Sequence, residues 1–419
     1  MLTPEQISKR IILLLGSRTY RANPFVDAAE RLGLEVVKGI DLPKELAEYY
    51  KPTLPLQFAD PNRAADDVIA YAKQNPVRTI LAVDDDASVI AARACEELDI
   101  SHNSPDAAYA AKNKFVMRER LRAQNVPSPR YRLFSIDDDP RAFAASLDYP
   151  CVVKPTMLAA SQGVIRANDP DELIATFQRT RAIIRKTGSD PNILIEDYIP
   201  GIEFALEGIL AGWRLHPLAL FDKPDPLEGP FFEETIYTTP SRLPRATQDA
   251  IFDSAMRACA AIGLREGPIH AELRVNDAGV WLVEVAGRSI GGLCAKILRF
   301  GTEKISLEEL IIRQAMGLEV QSLARENRAG GVMMIPIPGA GLLNGVEGID
   351  AAKSIAGIEE IDITIPLKNS VVPLPEGNSY LGFIFARGET PEQVEAALRA
   401  AHRCLRFEIV PQIAVMRKT

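Results

Sequence analysis

Three features of the sequence predict a mixed α/β and α+β protein. Short apolar runs alternate with helical segments over roughly the first hundred residues. Alternating strands joined by tight turns follow in the middle of the chain. After Arg328 the pattern returns to short strands and turns, closed by one helix. The 419 residues suffice for roughly two to four compact units around more than one core.

The elements are legible in order. Arg10–Gly16 is an apolar run ending in glycine, the pattern of a buried parallel strand and a turn. Phe25–Leu32 has helical spacing, and Leu34–Val37 reads as a second strand. Thr79–Val83 is a third strand ending in the acidic turn Asp84-Asp-Asp86, and Ala87–Leu98 is helical. This alternation gives an open α/β unit of about 100 residues. Lys112–Gln124 reads as one basic helix stopped by Pro127 and Pro129. Tyr149–Pro155 is a strand bounded by prolines, and Asp169-Pro170 caps a helix running to about Lys186. Asn192–Ile199, Phe204–Leu210 and Leu215–Phe221 are strands. Residues 224–244 read as one long loop with an exposed tip, Phe231-Phe-Glu-Glu234, suited to substrate selection. Gln248–Ile262 is an amphipathic helix. Pro268–Val275 and Val280–Val285 form a hairpin through Asn276-Asp-Ala-Gly279. Ser306-Leu-Glu-Glu309 caps a helix to Gly317, and the final helix spans Pro391–Leu405. With no repeat and no Pro/Gly/Ser linker, the units are expected to pack tightly.

Composition narrows the function. The chain is 47% hydrophobic and 25% charged, with net charge −8 and both signs dispersed. No basic stripe exists for nucleic acid or an acidic membrane surface, and no apolar run reaches membrane-span length. The polar opening lacks a signal-peptide core. Five dispersed cysteines and four dispersed histidines show no zinc spacing; reduced, buried thiols in a cytoplasmic protein are expected.

Several common chemistries are absent by motif: no Walker A loop, no GxSxG elbow, no GxGxxG after the first strand. What remains is a dispersed set of lysines and carboxylates. Lys154 ends a hydrophobic strand and needs a partner. Glu272 and Glu284 occupy neighbouring strands and face the same way, which is costly unless a positive charge neutralises them. Mg²⁺ bridged to phosphate oxygens does so. Arg288, four residues on, adds positive charge. Any one of these residues alone is more often a solvated surface group.

Five segments in order change that balance. They are Lys114–Pro127; Tyr149-Pro-Cys-Val-Val-Lys154-Pro155; Ser161-Gln-Gly163-Val164; Ile195-Glu196-Asp-Tyr-Ile199-Pro-Gly-Ile-Glu203; and His270-Ala-Glu272 with Glu284-Val-Ala-Gly-Arg288. Through them, from about Asp106 to Gly317, the chain resembles the ATP-grasp family, and the N-terminal α/β unit resembles its usual companion domain. The resemblance implies an ATP-grasp fold divided at 1–105 (pre-ATP-grasp domain), 106–190 (lysine helix and lid), 191–327 (nucleotide and metal subdomain) and 328–419 (C-terminal α+β subdomain). It implies ATP and Mg²⁺ or Mn²⁺ as cofactors. Lys114 and Lys154 would contact phosphates. Ser161 and Gly163 would form the tip of the covering loop. Backbone groups around Glu196 and Ile199 would read adenine, and Glu203 would accept the ribose hydroxyls. Glu272 and Glu284 would hold the metal. His270 belongs to the metal segment as a candidate catalytic residue, and Arg288 would bind the carboxylate and then the oxyanion.

Two departures stand out. Ala286 replaces the asparagine that usually completes the metal site, and Thr156–Ala160 lacks the usual glycines, predicting a stiffer loop. Arg288-Ser-Ile-Gly-Gly292 and Met334-Ile-Pro-Ile-Pro-Gly339 look like the branch of amino-acid ligases that make dipeptides and related amides. That branch implies small carboxylate and amine substrates, a C-terminal subdomain over the active site and, frequently, a homodimer. The competing expectations are an ATP-grasp carboxylase, a glycinamide-type nucleotide ligase, and a nucleotide-binding regulator without turnover.

Overall fold

A computed structural model describes residues 9–17, 19–50 and 53–411. The polar opening, residues 1–8, lies outside the described residues. The first unit contains β1 (Arg10–Leu15), α1 (Ala22–Arg31), β2 (Glu35–Asp41), α2 (Lys44–Tyr50), β3 (Leu54–Leu56), α3 (Pro61–Gln74), β4 (Thr79–Ala82) and α4 (Ser88–Glu97). Its sheet is parallel, in the order β3-β2-β1-β4. Ile11–Leu15 are buried, as a strand covered on both faces requires. α2, β3 and α3 are additional to the sequence reading. In open parallel sheets ligands collect at the carboxyl ends of the strands, where Gly16 and Asp84–Asp86 lie.

The basic helix expected over Lys112–Gln124 is cut near its start: Lys112 ends a preceding helix, α5 (Pro105–Lys112), and α6 (Lys114–Ala123) follows. The sequence reading had one helix here. Asn113 breaks it by adopting an extended backbone, and its Oδ1 accepts from the amides of Phe115 (3.0 Å) and Val116 (3.1 Å). Lys114 is therefore the first residue of a helix, and its own amide donates to the Thr156 carbonyl at 2.9 Å.

β5 (Tyr131–Ser135), β6 (Cys151–Pro155), β7 (Ile165–Ala167), α7 (Pro170–Thr187) and β8 (Asn192–Asp197) form a small unit where the resemblance places the lid. Its antiparallel sheet has the order β5-β8-β6-β7. The Asp169 side chain caps α7, with Pro170 in its first turn, as the sequence predicts.

The central unit comprises β9 (Ile202–Ala211), β10 (Arg214–Asp222), β11 (Ile236–Thr239), α8 (Arg245–Ile262), β12 (Gly267–Asn276), β13 (Gly279–Ala286) and α9 (Leu307–Met316). The rest comprises β14 (Ala329–Ile335), β15 (Gly341–Glu347), α10 (Ile349–Lys353), β16 (Ile358–Ile363), β17 (Ser370–Val371), β18 (Gly382–Gly388), α11 (Pro391–Cys404) and β19 (Arg406–Val410). One eight-stranded sheet runs through both, in the order β13-β12-β9-β10-β11-β14-β18-β16. β15, β17 and β19 make a separate three-stranded sheet.

The long loop expected over residues 224–244 is interrupted by β11, a buried strand pairing β10 on one side and β14 on the other. Its Ile-Tyr-Thr-Thr sequence favours an extended strand. The expected exposed tip is only partly exposed, with Phe231 paired to Ile165 of the lid.

A single apolar cluster joins Leu13 and Phe25 of the first unit to Phe221 and Tyr237 of the central unit and Met334 and Phe383 beyond it. Burying a large apolar side chain stabilises by about 1.5–3 kcal/mol. Sharing such a cluster fixes how the units sit around the cleft they enclose. All five cysteines are free thiols, and no helix among the described residues is long and apolar enough to cross a membrane.

Candidate active site

Within that cleft lies a cavity of about 410 Å³ whose wall is contributed by the N-terminal unit, the lid, the central sheet and the C-terminal region. Lys114, Lys154, Ser161, Glu196, Ile199, Glu203, His270, Glu272, Glu284 and Arg288 all line it. Gly163 does not line it but is buried at the base of the covering loop.

At one end Lys154 lies 2.5 Å from Glu196, whose other oxygen is 2.7 Å from Arg118 Nε. Burial alone would raise the Glu196 carboxyl, but Arg118 and Lys154 outweigh it and hold it below the usual range. Two cations share one carboxylate, so this buried trio carries a surplus positive charge facing the cavity. Lys114 Nζ donates to the Leu158 carbonyl (2.9 Å) and to Glu284 (3.3 Å), joining the covering loop to the candidate metal strand.

Glu272 and Glu284 stand directly opposite each other across the β12–β13 ladder, as the hairpin pattern predicts. Their surroundings differ. Glu272 belongs to a buried cluster in which Lys223 Nζ lies 2.7 Å from Glu203, 2.6 Å from Glu234 and 2.8 Å from Glu272. Burial would raise Glu272, yet Lys223 and His270 hold it well below the usual range. Burial also raises Glu234, and against the pull of Lys223 the nearby Glu272 adds to the rise, to about 7. Glu234, at the supposed loop tip, is thus part of this acidic cluster and also accepts from the Tyr237 hydroxyl at 2.6 Å. The carboxylates of Glu203, Glu234 and Glu272 come within 4.8 Å of one another, with Lys223 as their shared counterion. Glu284 has only the Lys114 contact among the ion pairs of the described residues.

His270 is held from both sides, with Nδ1 2.6 Å from Glu207 and Nε2 3.5 Å from Glu272. Burial would lower its pKa, but the bonds to the two glutamates outweigh that and carry it to about 9. A ring held this way as imidazolium is suited to orienting Glu272. Arg288 Nε donates to Asp85 at 2.8 Å, across from the central sheet to the N-terminal unit. Beside it Arg21 donates to Ser289 at 2.5 Å, and the Gly292 amide donates to the Tyr20 hydroxyl at 2.9 Å. Gly292 has φ +60°, and a Cβ there would press on Met334 Sδ, so glycine is favoured.

The covering loop keeps its turn without the usual glycines. Ala160 and Ser161 adopt φ +53° and +54°, a left-handed conformation costing on the order of 1–3 kcal/mol per non-glycine residue. Neighbouring contacts must hold the loop in place.

Several residues of the site fall outside the sequence reading, among them Lys223, Arg274, Glu207, Asp85 and Arg118. Arg274 donates to Glu203 (2.9 Å) and to the Ile199 carbonyl (2.7 Å), tying the hinge to the sheet. His270, Glu272 and Arg274 recur every second residue on β12 and so share one face, a signal present in the sequence. Lys223 follows the apolar end of β10 just as Lys154 lies near the end of β6.

Comparison with known families accords with this geometry. The ATP-grasp domain model matches residues 147–297, the ATP-grasp N-terminal domain model 26–102, and the L-amino acid ligase C-terminal domain 2 model 333–410. The chain belongs to the ATP-grasp family. Within that family it resembles the L-amino acid ligase branch. The L-amino acid ligase from Bacillus licheniformis superposes with a TM-score of 0.80 at 25% identity, over 97% of this chain and 99% of that one. An uncharacterised protein of Sinorhizobium fredii is 22% identical over 317 residues, covering 76% of this chain and 65% of its own length. Alanine–anticapsin ligase of Bacillus subtilis is 26% identical over 286 residues, covering 62% of this chain and 60% of its own. The chain thus spans less than two thirds of the length of these two curated relatives.

Proposed function

We propose that this chain is an ATP-dependent carboxylate–amine ligase that activates an amino acid as an acyl phosphate, joins it to an amine, and releases ADP and phosphate. One observation carries the proposal: Lys114, Lys154 and the pair Glu284 and Arg288, from three separate segments, face one cavity. The relatives that join amino acids favour this reading over a carboxylase.

The chain's residues divide the work. Backbone groups at Glu196–Ile199 receive the adenine edge, and Glu203 receives the ribose. Lys154, drawing on the surplus charge of its trio, and Lys114 hold phosphate oxygens. Ser161 and Gly163 belong to the loop covering them. The donors fit a hard divalent cation in part: Glu272 and Glu284 are opposed carboxylates, and with Ala286 offering no ligand atom the remaining positions would fall to water and phosphate oxygens. Mg²⁺ or Mn²⁺ held there would neutralise phosphate charge. His270 orients Glu272. Arg288 binds the carboxylate and then the oxyanion formed when the amine attacks.

The test is ADP release screened over amino acids, singly and in pairs, with bicarbonate as a separate arm. Release dependent on amino acids supports the proposal; release dependent on bicarbonate alone refutes it. A second expectation concerns nucleotide affinity. Lys154→Met leaves a neutral, still paired Arg118–Glu196 couple, so the fold survives. Losing one charge-assisted phosphate contact should weaken ATP about tenfold or more by calorimetry. Unchanged affinity in both Lys154→Met and Lys114→Met would place the nucleotide elsewhere.

A further inference from the structure

The strained loop over residues 156–164 is held by a segment more than two hundred residues away in sequence. The Gly163 amide donates to the Pro375 carbonyl at 2.9 Å. Gln162 Nε2 donates to the Glu376 carbonyl at 2.7 Å, a separation of 214 positions. Just behind, Arg179 of α7 grips the Glu376 carboxylate with two bonds, of 2.6 and 3.0 Å. Thr180, the next residue on α7, donates to the Gly163 carbonyl at 3.2 Å. The lid therefore touches a single turn of the C-terminal region through its loop and its helix together. That turn is closed by its own Gly377-to-Pro373 backbone bond of 2.8 Å. Directly after it, Asn378 and Tyr380 form part of the cavity wall.

We infer that the 373–380 segment is a latch that holds the covering loop closed over the phosphates, with Glu376 as its positioning residue. This rests on the nucleotide reading of the cavity. Three features support it. The loop contains two non-glycine residues in left-handed conformation, which its own sequence does not favour. The bonds from Gln162 and Gly163 run to backbone carbonyls, so they fix the loop's position whatever side chains the turn carries. The paired Arg179–Glu376 geometry adds direction, because two parallel bonds resist rotation where a single point charge does not. The side chains of that pair are 45% and 35% exposed, so water screens it and its effect on overall stability is small. Its effect should appear in lid opening, where the bond is broken and remade.

Stopped-flow dissociation of a fluorescent N-methylanthraniloyl ATP, with Mg²⁺ and the full chain, tests the latch. Glu376→Gln and Arg179→Gln should each speed dissociation roughly three- to tenfold with little change in association rate. The charge-swapped pair Arg179→Glu with Glu376→Arg should return dissociation towards wild type, which a merely structural role would not do. Should the Arg179 variants fail to fold, Glu376→Gln alone carries the same expectation, because Glu376 does not line the cavity and its substitution leaves the Gln162 and Gly163 bonds to the backbone in place. Wild-type binding with unchanged dissociation in the single variants, or no recovery in the swap, overturns the latch alone. Failure of the wild-type chain to bind unmodified ATP by calorimetry overturns the latch and the nucleotide reading together.

Discussion

Replacing Glu284 with glutamine is expected to lower turnover by at least about a thousandfold, on the order of 4 kcal/mol, while leaving the fold intact. Glutamine preserves shape and volume but removes the charge a hard cation needs. Of the two opposed carboxylates, Glu272 is already paired through one oxygen with Lys223 and His270, whereas Glu284 meets only Lys114, at 3.3 Å. Glu284 is therefore the carboxylate freer to serve a metal, and its loss leaves the buried Lys114 with the Leu158 carbonyl as its hydrogen-bond partner while the Glu203–Glu234–Glu272 cluster keeps its pairing. Phosphate release measured across a Mg²⁺ titration checks this. Wild-type turnover by the variant at limiting Mg²⁺ would remove Glu284 from the metal site.

Replacing Arg288 with lysine should lower kcat/KM for the carboxylate substrate by at least about 2 kcal/mol, roughly thirtyfold, with ATP affinity retained. A lysine keeps the charge and can still meet Asp85, but it loses the planar fork that grips two oxygens. The Asp85 contact sharpens this test. In the structure one arm of the guanidinium serves Asp85 at 2.8 Å and another the Ser289 carbonyl at 3.1 Å. If Arg288 only pins the N-terminal unit to the central sheet, lysine substitutes and carboxylate kinetics stay normal. If it also receives substrate, the kinetic loss appears although the pin survives. Steady-state kinetics in both substrates, with calorimetry for ATP, separates the two.

The local features of this fold were legible because their signals are local. The cap at Asp169, the cap at Ser306 and the turn Asn276–Gly279 each depend on a few neighbouring residues. So did the opposition of Glu272 and Glu284, which follows from strand periodicity once the turn is placed. Other features are set by partners distant in sequence. Lys223 reads as an ordinary lysine until Glu272, 49 positions away, folds against it. Asp85 reads as a turn residue until Arg288, 203 positions away, meets it. The Asn113 break was hidden because flanking residues all favour helix, and one side chain capping two amides decides otherwise. β11 was hidden between proline-rich neighbours, and its place between β10 and β14 depends on the C-terminal region joining the central sheet.

In the proposed reaction a carboxylate is activated by phosphoryl transfer and captured by an amine. Its most direct test uses an amino acid pair that supports ADP release, with the activated carboxylate labelled with heavy oxygen. An acyl phosphate passes one carboxylate oxygen to phosphate when the amine displaces it. Mass spectrometry should therefore find heavy oxygen in the released phosphate, and an amide product in equal amount. Unlabelled phosphate, or ADP formed without any amide, would contradict the account.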